Sequence, residues 1–444
     1  MPEFWRRAWP WLASAAVVGF VWLCHGDYGI TWDESVQDTY GELTRRYYAS
    51  GGKDRSAERF VDLRYYGPMV EVALAALSGN DRTKRFDRRH MWLGLFAVPV
   101  VGALGLFARG FACWQVGAYG VLCLWMMPIF VGHLPNNSKD APFAVAVAMY
   151  MAALFFLLRS PVLRPKNLSL FALALAAVLC VRPAGIVIAG LYGLAAFLLA
   201  RLLGVGWPAG APRHLLPAVG KLSISVAAAW FLMVASWPWT HAEPFTRPLR
   251  AIAYATAFPR IHRVLFEGTV RASDQLPWYY LPKYLLITTP PILLALALLG
   301  VGAQLWRFGA QRPEHRFSWL LTVIWLTLPI VLVMAFRPNI YDGMRHFIFL
   351  LPALGLLAGL GAVSLARRLT ALAPRLGVLP WVFALVLCGL PLAELAALHP
   401  YQSSYHNFLV GGLPGAFRRY PLDYWGSSLR EAVIWINEQS ATSA

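Results

Sequence analysis

The chain has 444 residues, of which 58% are hydrophobic and only 14% are charged, and its formal net charge is +17. Soluble globular proteins carry about 25% charged residues, and disordered chains contain far less apolar side chain. The composition therefore excludes both classes and points to a membrane protein. A high positive charge can also indicate nucleic-acid binding. Here the basic residues lie between apolar runs, so we predict no nucleic-acid partner.

Apolar runs recur along the whole chain, and a spanning helix needs about 20 such residues. We predict an all-α polytopic membrane protein with about eleven spans, near residues 8–24, 90–107, 112–131, 141–158, 168–182, 184–203, 218–236, 283–305, 318–336, 346–366 and 379–397. Residues 1–397 would form one transmembrane domain, and 398–444 a small outer-face tail. The first span follows Arg6 and Arg7 without a small-residue cleavage pattern, so we interpret it as a retained anchor.

Lys and Arg in the short connections give the orientation, because they mark the cytoplasmic side. With a cytoplasmic N-terminus, the inner connections hold 15 Lys and Arg residues but only two carboxylates, Glu3 and Glu314. The outer side then receives the connections 25–89, 132–140, 237–282 and 337–345 and the tail. We therefore expect the polar clusters of these segments to lie at the outer membrane surface.

The first long outer connection contains two helical patterns. The first comprises Val36, Tyr40, Leu43 and Tyr47, and the second begins with Phe60, Leu63 and Tyr66. Two amphipathic helices lying on the outer membrane surface would explain both patterns.

The five cysteines lie in or at the ends of apolar runs, at Cys24, Cys113, Cys123, Cys180 and Cys388. This distribution predicts no disulfide framework. The sequence also shows no phosphate-binding Gly-rich loop and no Cys/His ligand cluster.

An acidic pair follows the first span, where residues 29–34 read Gly-Ile-Thr-Trp-Asp-Glu. A carboxylate at a helix start just outside the membrane can act as a general base toward a lipid-borne substrate. Thr31 and Glu34 also have the spacing of a capping box, which would leave Asp33 free for chemistry. Adjacent helical residues point about 100° apart, so we predict two catalytic roles: Asp33 as the base and Glu34 as an orienting carboxylate.

The short outer connection ends in Asn137-Ser138-Lys139-Asp140 at the start of a span. An ammonium group and backbone donors in such a turn suit a phosphate headgroup, so we predict that Lys139 binds the phosphate of a donor. A snorkelling lysine is the alternative. Asp140 is a candidate substrate contact, although a helix N-cap explains this residue better when it is considered alone.

A third polar cluster, Tyr341-Asp342-Gly343-Met344-Arg345-His346, precedes another span. The planar guanidinium of Arg345 suits phosphate, and His346 is a weaker candidate for the same role. We predict that Tyr341 and Asp342 contact the substrate. In the alternative interpretation, Arg345 snorkels to the interface and His346 is structural.

Taken together, these strings resemble the GT-C polytopic glycosyltransferases, in particular the bacterial branch related to protein O-mannosyltransferases and lipid A aminoarabinose transferases. The matching strings are Gly-Ile-Thr-Trp-Asp-Glu (29–34), Asn-Ser-Lys-Asp-Ala-Pro-Phe (137–143), Pro-Trp-Tyr-Tyr-Leu-Pro (277–282) and Tyr-Asp-Gly-Met-Arg-His-Phe (341–347).

The resemblance implies transfer of a sugar from a polyprenyl-phosphate donor, such as an undecaprenyl-phosphate sugar, to a glycan, lipid or protein acceptor. The reaction would take place on the periplasmic face of a bacterial inner membrane. Asp33 would deprotonate the acceptor hydroxyl, and transfer would invert the anomeric configuration. Lys139 and Arg345, with His346, would hold the phosphate.

The alternative from another class is a lipid-linked sugar flippase or a secondary transporter, which would place charges near the bilayer midplane. If the protein is a transferase, we expect a lateral outer cavity, open to lipid, that converges on Asp33, Lys139 and Arg345. If it is a carrier, we expect a central pathway that is open to both sides of the membrane. The oxygen ligands of Asp33, Glu34, Asp140 and Asp342 are compatible with a divalent cation, but the sequence assigns no metal and requires no cofactor.

Overall fold

The computed structural model describes residues 3–81, 83–111, 113–160, 162–206, 215–256, 260–372 and 389–442. Its longer helices up to residue 372 are α1 (Glu3–Cys24), α2 (Glu34–Ala49), α3 (Met69–Leu77), α4 (Arg85–Leu95), α5 (Val98–Ala108), α6 (Trp114–Trp125), α7 (Pro128–His133), α8 (Asp140–Arg159), α9 (Pro165–Leu179), α10 (Ala184–Leu202), α11 (Leu215–Ser236), α12 (Thr246–Thr256), α13 (Tyr280–Ile287), α14 (Pro291–Trp306), α15 (Pro313–Phe336) and α16 (Leu351–Leu372). The tail contains the helices Gly412–Ala416 and Leu429–Thr442.

Seven helical stretches of the described residues are long and apolar enough to cross a membrane. They are α1, the α4–α5 stretch, α8, α10, α11, α15 and the stretch from Arg345 through α16. Each coincides with a predicted span, so the polytopic helical fold is confirmed. The predicted number of eleven is not confirmed.

The remaining predicted spans are broken or short. The span at 112–131 is divided into α6 and α7, because Pro128 begins α7 and the preceding Met127 is extended, as a residue before proline prefers. The span at 283–305 is divided into α13 and α14, which meet at 111° across a break ending in Pro290-Pro291. Helix α9 has only 15 residues. Of the span at 379–397, the part before residue 389 lies outside the described residues.

Helix α16 lies in the core of the bundle, where the residues from Leu351 to Val363 are buried. It packs between α6 and α14. Gly359 allows the closest approach to α6, since a Cβ there would lie 2.7 Å from both the Gly120 nitrogen and the Val116 oxygen. Small residues at such contacts let membrane helices pack backbone to backbone.

One of the two helices predicted in the first long outer connection is absent from its described residues. The first pattern forms helix α2, but the second pattern falls on two short 3₁₀ turns, Ser56–Arg59 and Asp62–Tyr65. Phe60, Leu63 and Tyr66 pack against Tyr40 of α2, so part of the apolar surface of both segments is used to join them.

The all-α prediction also missed a hairpin of β1 (Arg263–Phe266) and β2 (Thr269–Ala272), which pair antiparallel with Phe266 opposite Thr269. Glu267 and Gly268 have φ of 53° and 81°, as a tight two-residue hairpin turn requires.

Candidate active site

Asp33 and Glu34 have different surroundings. Asp33 precedes the first residue of α2, makes no side-chain capping bond and leaves 39% of its side chain exposed. Glu34 is buried, and its two oxygens accept from the Thr31 backbone N–H at 2.7 Å and contact His90 Nε2 at 2.7 Å. The carboxylate half of the predicted capping box is thus present. Glu34 fixes the start of α2, while Asp33 faces the accessible side.

Lys139 meets Asp33 across the outer end of the bundle. Its Nζ lies 3.4 Å from Asp33 Oδ2 and 5.3 Å from the centre of the Tyr66 ring. The guanidinium of Arg182, in the turn between α9 and α10, lies 6.0 Å from the same ring. An aromatic face attracts cations at these distances, so Tyr66 helps to hold two cations side by side.

Asp140 connects two arginines from different parts of the chain. It is the first residue of α8 and is buried. One carboxylate oxygen pairs with Arg182 Nη1, and the other lies 3.7 Å from Arg345 Nε and accepts from Asn137 Nδ2 at 3.1 Å. The predicted N-cap alternative is not observed, because Asp140 lies inside the first turn and its carboxylate binds side chains. Asp140 therefore positions two cations.

Arg345 is enclosed by groups that keep its guanidinium in place. Its Nη1 lies 3.2 Å from Asp342 Oδ2, and its Nη2 lies 3.2 Å from His346 Nε2. The ring of Tyr341 lies 5.4 Å from the guanidinium carbon and contacts the His346 ring at 4.9 Å. The structure thus gathers all four predicted residues of this segment, with His346 and Tyr341 placed as supports of Arg345.

The charges around Asp342 link the Arg345 segment electrostatically to Asp33 and Asp140. Burial raises the pKa of Asp342, Arg345 opposes the rise, and the nearby charges of Asp33 and Asp140 add to it. The cluster of Asp33, Lys139, Asp140, Arg182, Asp342 and Arg345, which we call the outer cluster, contains three cations and three carboxylates. An anion entering it would compete with these carboxylates for the same cations.

A buried polar chain supports the outer cluster from behind. The Ser138 hydroxyl contacts the side-chain oxygens of Gln37 of α2 and of Glu71 of α3, and its single proton is shared between these two acceptors. Glu71 pairs with Arg89 at 2.7 Å, and Arg89 pairs with Asp38 at 2.9 Å. This chain attaches the segment that carries Lys139 to α2, which carries Asp33, and so fixes the distance between the two.

The tail covers the cluster. The rings of Trp425 and Tyr424 lie 5.0 and 5.9 Å from the Arg345 guanidinium carbon. The Trp32 backbone N–H donates to the Trp425 carbonyl at 3.2 Å, so the residue before Asp33 is attached to the covering segment. Tyr424 also contacts buried His133 at 3.3 Å.

Two cavities border the outer cluster, and both are small. One of about 20 Å³ is lined by Asp342, Arg345 and Tyr424 among others, and one of about 10 Å³ is lined by Ser138 and Lys139 among others. Pockets for small ligands usually measure about 300–1,000 Å³. Neither of these two cavities is the open lateral cavity predicted for a transferase.

Several residues of the cluster were missed by the sequence prediction. Arg182 could have been found, since it is the cation that ends the predicted span 168–182 on the predicted outer side. Tyr424 and Trp425 follow Arg345 by almost 80 residues, and no local pattern in the sequence relates them to it. The carboxylates of the cluster do not form a group of three close ligand atoms in the described part of the chain.

No family model and no curated protein matches the sequence. The fold is similar to ArnT from Cupriavidus metallidurans bound to undecaprenyl phosphate, with a TM-score of 0.58 and 15% identity over 88% of this chain and 77% of that chain. It is also similar to the Archaeoglobus fulgidus oligosaccharyltransferase tethered with an acceptor peptide, with a TM-score of 0.54 and 12% identity over 91% of this chain and 56% of that chain.

A third similar structure is archaeal AglB in complex with an inhibitory peptide and a dolichol-phosphate, with a TM-score of 0.52 and 11% identity over 91% of this chain and 56% of that chain. At such identities the likeness concerns the fold. Together, the apolar helices and this likeness show an integral membrane protein that shares the fold of ArnT and of AglB.

Proposed function

We propose that the protein is a glycosyltransferase that moves a sugar from a polyprenyl-phosphate donor to an acceptor hydroxyl at the outer membrane surface. The observation that carries this proposal is the juxtaposition at the outer cluster. The part-exposed Asp33 carboxylate lies 3.4 Å from Lys139, next to Arg182 and Arg345, which are paired with the buried Asp140. A base beside several cations suits a reaction whose leaving group is a phosphate.

In this proposal Asp33 accepts the proton of the acceptor hydroxyl. The hydroxyl oxygen then bonds to the anomeric carbon, the bond from that carbon to the phosphate oxygen breaks, and the electron pair leaves with the lipid phosphate. Attack opposite the phosphate inverts the anomeric configuration. Glu34 acts indirectly, since it holds the start of α2 and therefore the position of Asp33.

Lys139, Arg182 and Arg345 would bind the donor phosphate and the charge that grows on it. Donors already in place cost little reorganisation during reaction, and one such donor is worth about 3 kcal/mol in comparable sites. The rings of Tyr66 and Tyr341, together with Asp140 and His346, keep the cations in position. In this proposal the base and the phosphate site both come from residues of the outer cluster.

Similar structures support the lipid-linked donor. ArnT was solved with undecaprenyl phosphate and AglB with a dolichol-phosphate. The charge distribution of the connections supports a periplasmic or extracellular site and a cytoplasmic N-terminus. The acceptor in this proposal is a hydroxyl of a glycan, a lipid or a protein.

Asp33→Asn tests the proposed base, with Asp54→Asn as the matched control because Asp54 lies in the same outer connection. Both variants are assayed for transfer from a panel of polyprenyl-phosphate sugars and for binding of undecaprenyl phosphate. General base catalysis contributes about 10²–10⁴-fold. We therefore expect Asp33→Asn to lose about that much turnover and to retain lipid phosphate binding. Equal turnover of the two variants, in samples of equal thermal stability, would refute Asp33 as the base.

A further inference from the structure

The outer end of α1 meets the start of the tail at three side chains that can ligate a metal ion. Cys24 ends α1, Asp27 lies in the following turn, and His399 lies just beyond the helical segment 389–397. One ligand atom from each side chain lies within 4.8 Å of the other two, and within the described ranges of the chain this is the one group of its kind. His399 Nε2 is 2.8 Å from Asp27 Oδ2.

These three groups have the right chemistry for a transition-metal ion. A cysteine thiolate, an imidazole nitrogen and a carboxylate are the common protein ligands of Zn²⁺, and three protein ligands leave the fourth tetrahedral position to water. The thiolate and the carboxylate together carry two negative charges, which balance a divalent cation. The outer cluster, by contrast, offers oxygen ligands that already bind arginines or Lys139.

The neighbour of the second ring nitrogen of His399 is an amide that can serve a metal-bound histidine once it is rotated. Gln402 Nε2 lies 2.9 Å from His399 Nδ1, and the Tyr28 hydroxyl lies 3.4 Å from Gln402 Oε1. Amide oxygen and nitrogen are interchangeable by rotation. With the oxygen turned toward Nδ1, Gln402 accepts a hydrogen bond from Nδ1–H, and the Nε2 lone pair is left for the metal. Ligating histidines usually donate their second ring N–H in this way.

We propose that Cys24, Asp27 and His399 form a binding site for a divalent metal ion of the zinc class that shares no residue with the outer cluster. On binding, the Cys24 thiol releases its proton to solvent, the proton of the imidazole resides on Nδ1, and a water molecule completes the coordination. The ion then links α1 to the tail.

This link would bear on the transfer site through the tail. Asp27 already accepts a hydrogen bond from Arg430 through its backbone oxygen, and the segment before Arg430 carries Tyr424 and Trp425 over Arg345. A metal at Asp27 would stabilise the same contact between the first outer connection and the tail.

Cobalt spectroscopy of the purified full-length protein tests the site directly. After removal of metal by a chelator, Co²⁺ is titrated and its absorption recorded. We expect about one equivalent to bind, with tetrahedral visible bands and a thiolate-to-cobalt charge-transfer band. Cys24→Ser should abolish the charge-transfer band, and His399→Ala should weaken Co²⁺ binding by about tenfold or more.

Cys113→Ser is the matched control, since Cys113 is another partly exposed cysteine at the end of an apolar run. Its spectrum should equal that of the wild-type protein. Absence of a charge-transfer band in the wild type, or its loss in Cys113→Ser, would overturn the proposal and leave His399 and Asp27 as a hydrogen-bonded pair. Because the readout is a spectrum, failure of this site and failure of the proposed transferase activity are distinguishable.

Discussion

Asp140 is the residue on which the arginines of the outer cluster converge. We predict that Asp140→Asn destabilises the protein by about 3 kcal/mol, because removing one partner of a buried ion pair leaves an uncompensated charge. Here the part-buried guanidinium groups of Arg182 and Arg345 lose the buried carboxylate that they share. Thermal unfolding in detergent measures the effect. Asp81→Asn, an exposed change, serves as the control, and equal unfolding of both variants would contradict the assigned role.

Buried His133 makes the stability of the folded protein depend on pH. Burial, reinforced by the charge of Arg345 and opposed by that of Asp140, lowers the pKa of His133 to about 4 in the folded protein, against about 6.5 in an unfolded chain. The neutral imidazole therefore contributes stability above about pH 6.5, and this contribution is lost as the pH falls from 6.5 toward 4. Each pH unit in that window changes the free energy of unfolding by about 1.4 kcal/mol.

We therefore predict that the free energy of unfolding of the wild-type protein falls by about 2 kcal/mol more, between about pH 6.5 and pH 5, than that of His133→Gln. Glutamine can still bond Asn137 and Tyr424 but does not titrate. Thermal unfolding at a series of pH values provides the measurement, with His25→Gln as a control that should follow the wild type. Parallel profiles for wild type and His133→Gln would disprove the buried neutral histidine.

Residue types and their positions in the sequence predicted part of this cluster. Asp33, Lys139 and Arg345 each belong to a short polar string beside a predicted span, where charged side chains require an explanation. The sequence did not show that His346 supports Arg345 or that Glu34 binds His90. Such roles depend on which atoms face each other after folding, and this orientation has no periodic signal in the sequence.

At the scale of elements, the close contact between α2 and α3 sets the position of the proposed base. Gly41 of α2 lies against α3, where a Cβ would be 2.8 Å from the Glu71 carbonyl carbon. We predict that Gly41→Ala separates the helices, costs about 1–3 kcal/mol and lowers turnover at least about tenfold. The reason is that Glu71 also binds Ser138, the neighbour of Lys139.

Gly19→Ala is the matched control for this change, because a Cβ at Gly19 of α1 meets no atom within 4 Å and alanine favours a helix by about 1 kcal/mol over glycine. Transfer assays and thermal unfolding of both variants make the comparison. If Gly41→Ala behaved like Gly19→Ala, the α2–α3 contact would have no part in positioning Asp33.

The sequence predicted helix positions better than helix continuity. Pro128 and the Pro290-Pro291 pair lie inside apolar runs that hydropathy alone interprets as single spans, but proline constrains the residue before it and removes a backbone donor. The chain therefore breaks at both sites. The hairpin around Glu267 and Gly268 was missed because each of its strands has only four residues, which is too few for a clear alternation of side chains.

At the scale of the whole molecule, the connections at one end of the bundle combine cations with carboxylates, whereas those at the other end are almost purely cationic. Arg307, Arg312, Arg316 and Arg367 lie in or beside these cationic connections. The outer cluster, the β-hairpin and the tail belong to the opposite end. This separation predicts that the cationic end faces the cytoplasm, which places the proposed base and phosphate site on the outer surface, where the mature polyprenyl-linked donor and the acceptor would meet.

Cysteine labelling tests this orientation in intact membranes. Thr269 is exposed on the hairpin, and Gly309 is exposed in the turn between α14 and α15, so Thr269→Cys and Gly309→Cys report on opposite ends. We expect a membrane-impermeant maleimide to label Thr269→Cys in intact spheroplasts and to label Gly309→Cys only after lysis, with wild-type labelling subtracted as background. The reverse pattern would place Asp33 in the cytoplasm and the cationic connections outside. The excess of cations in those connections would then not be an orientation signal.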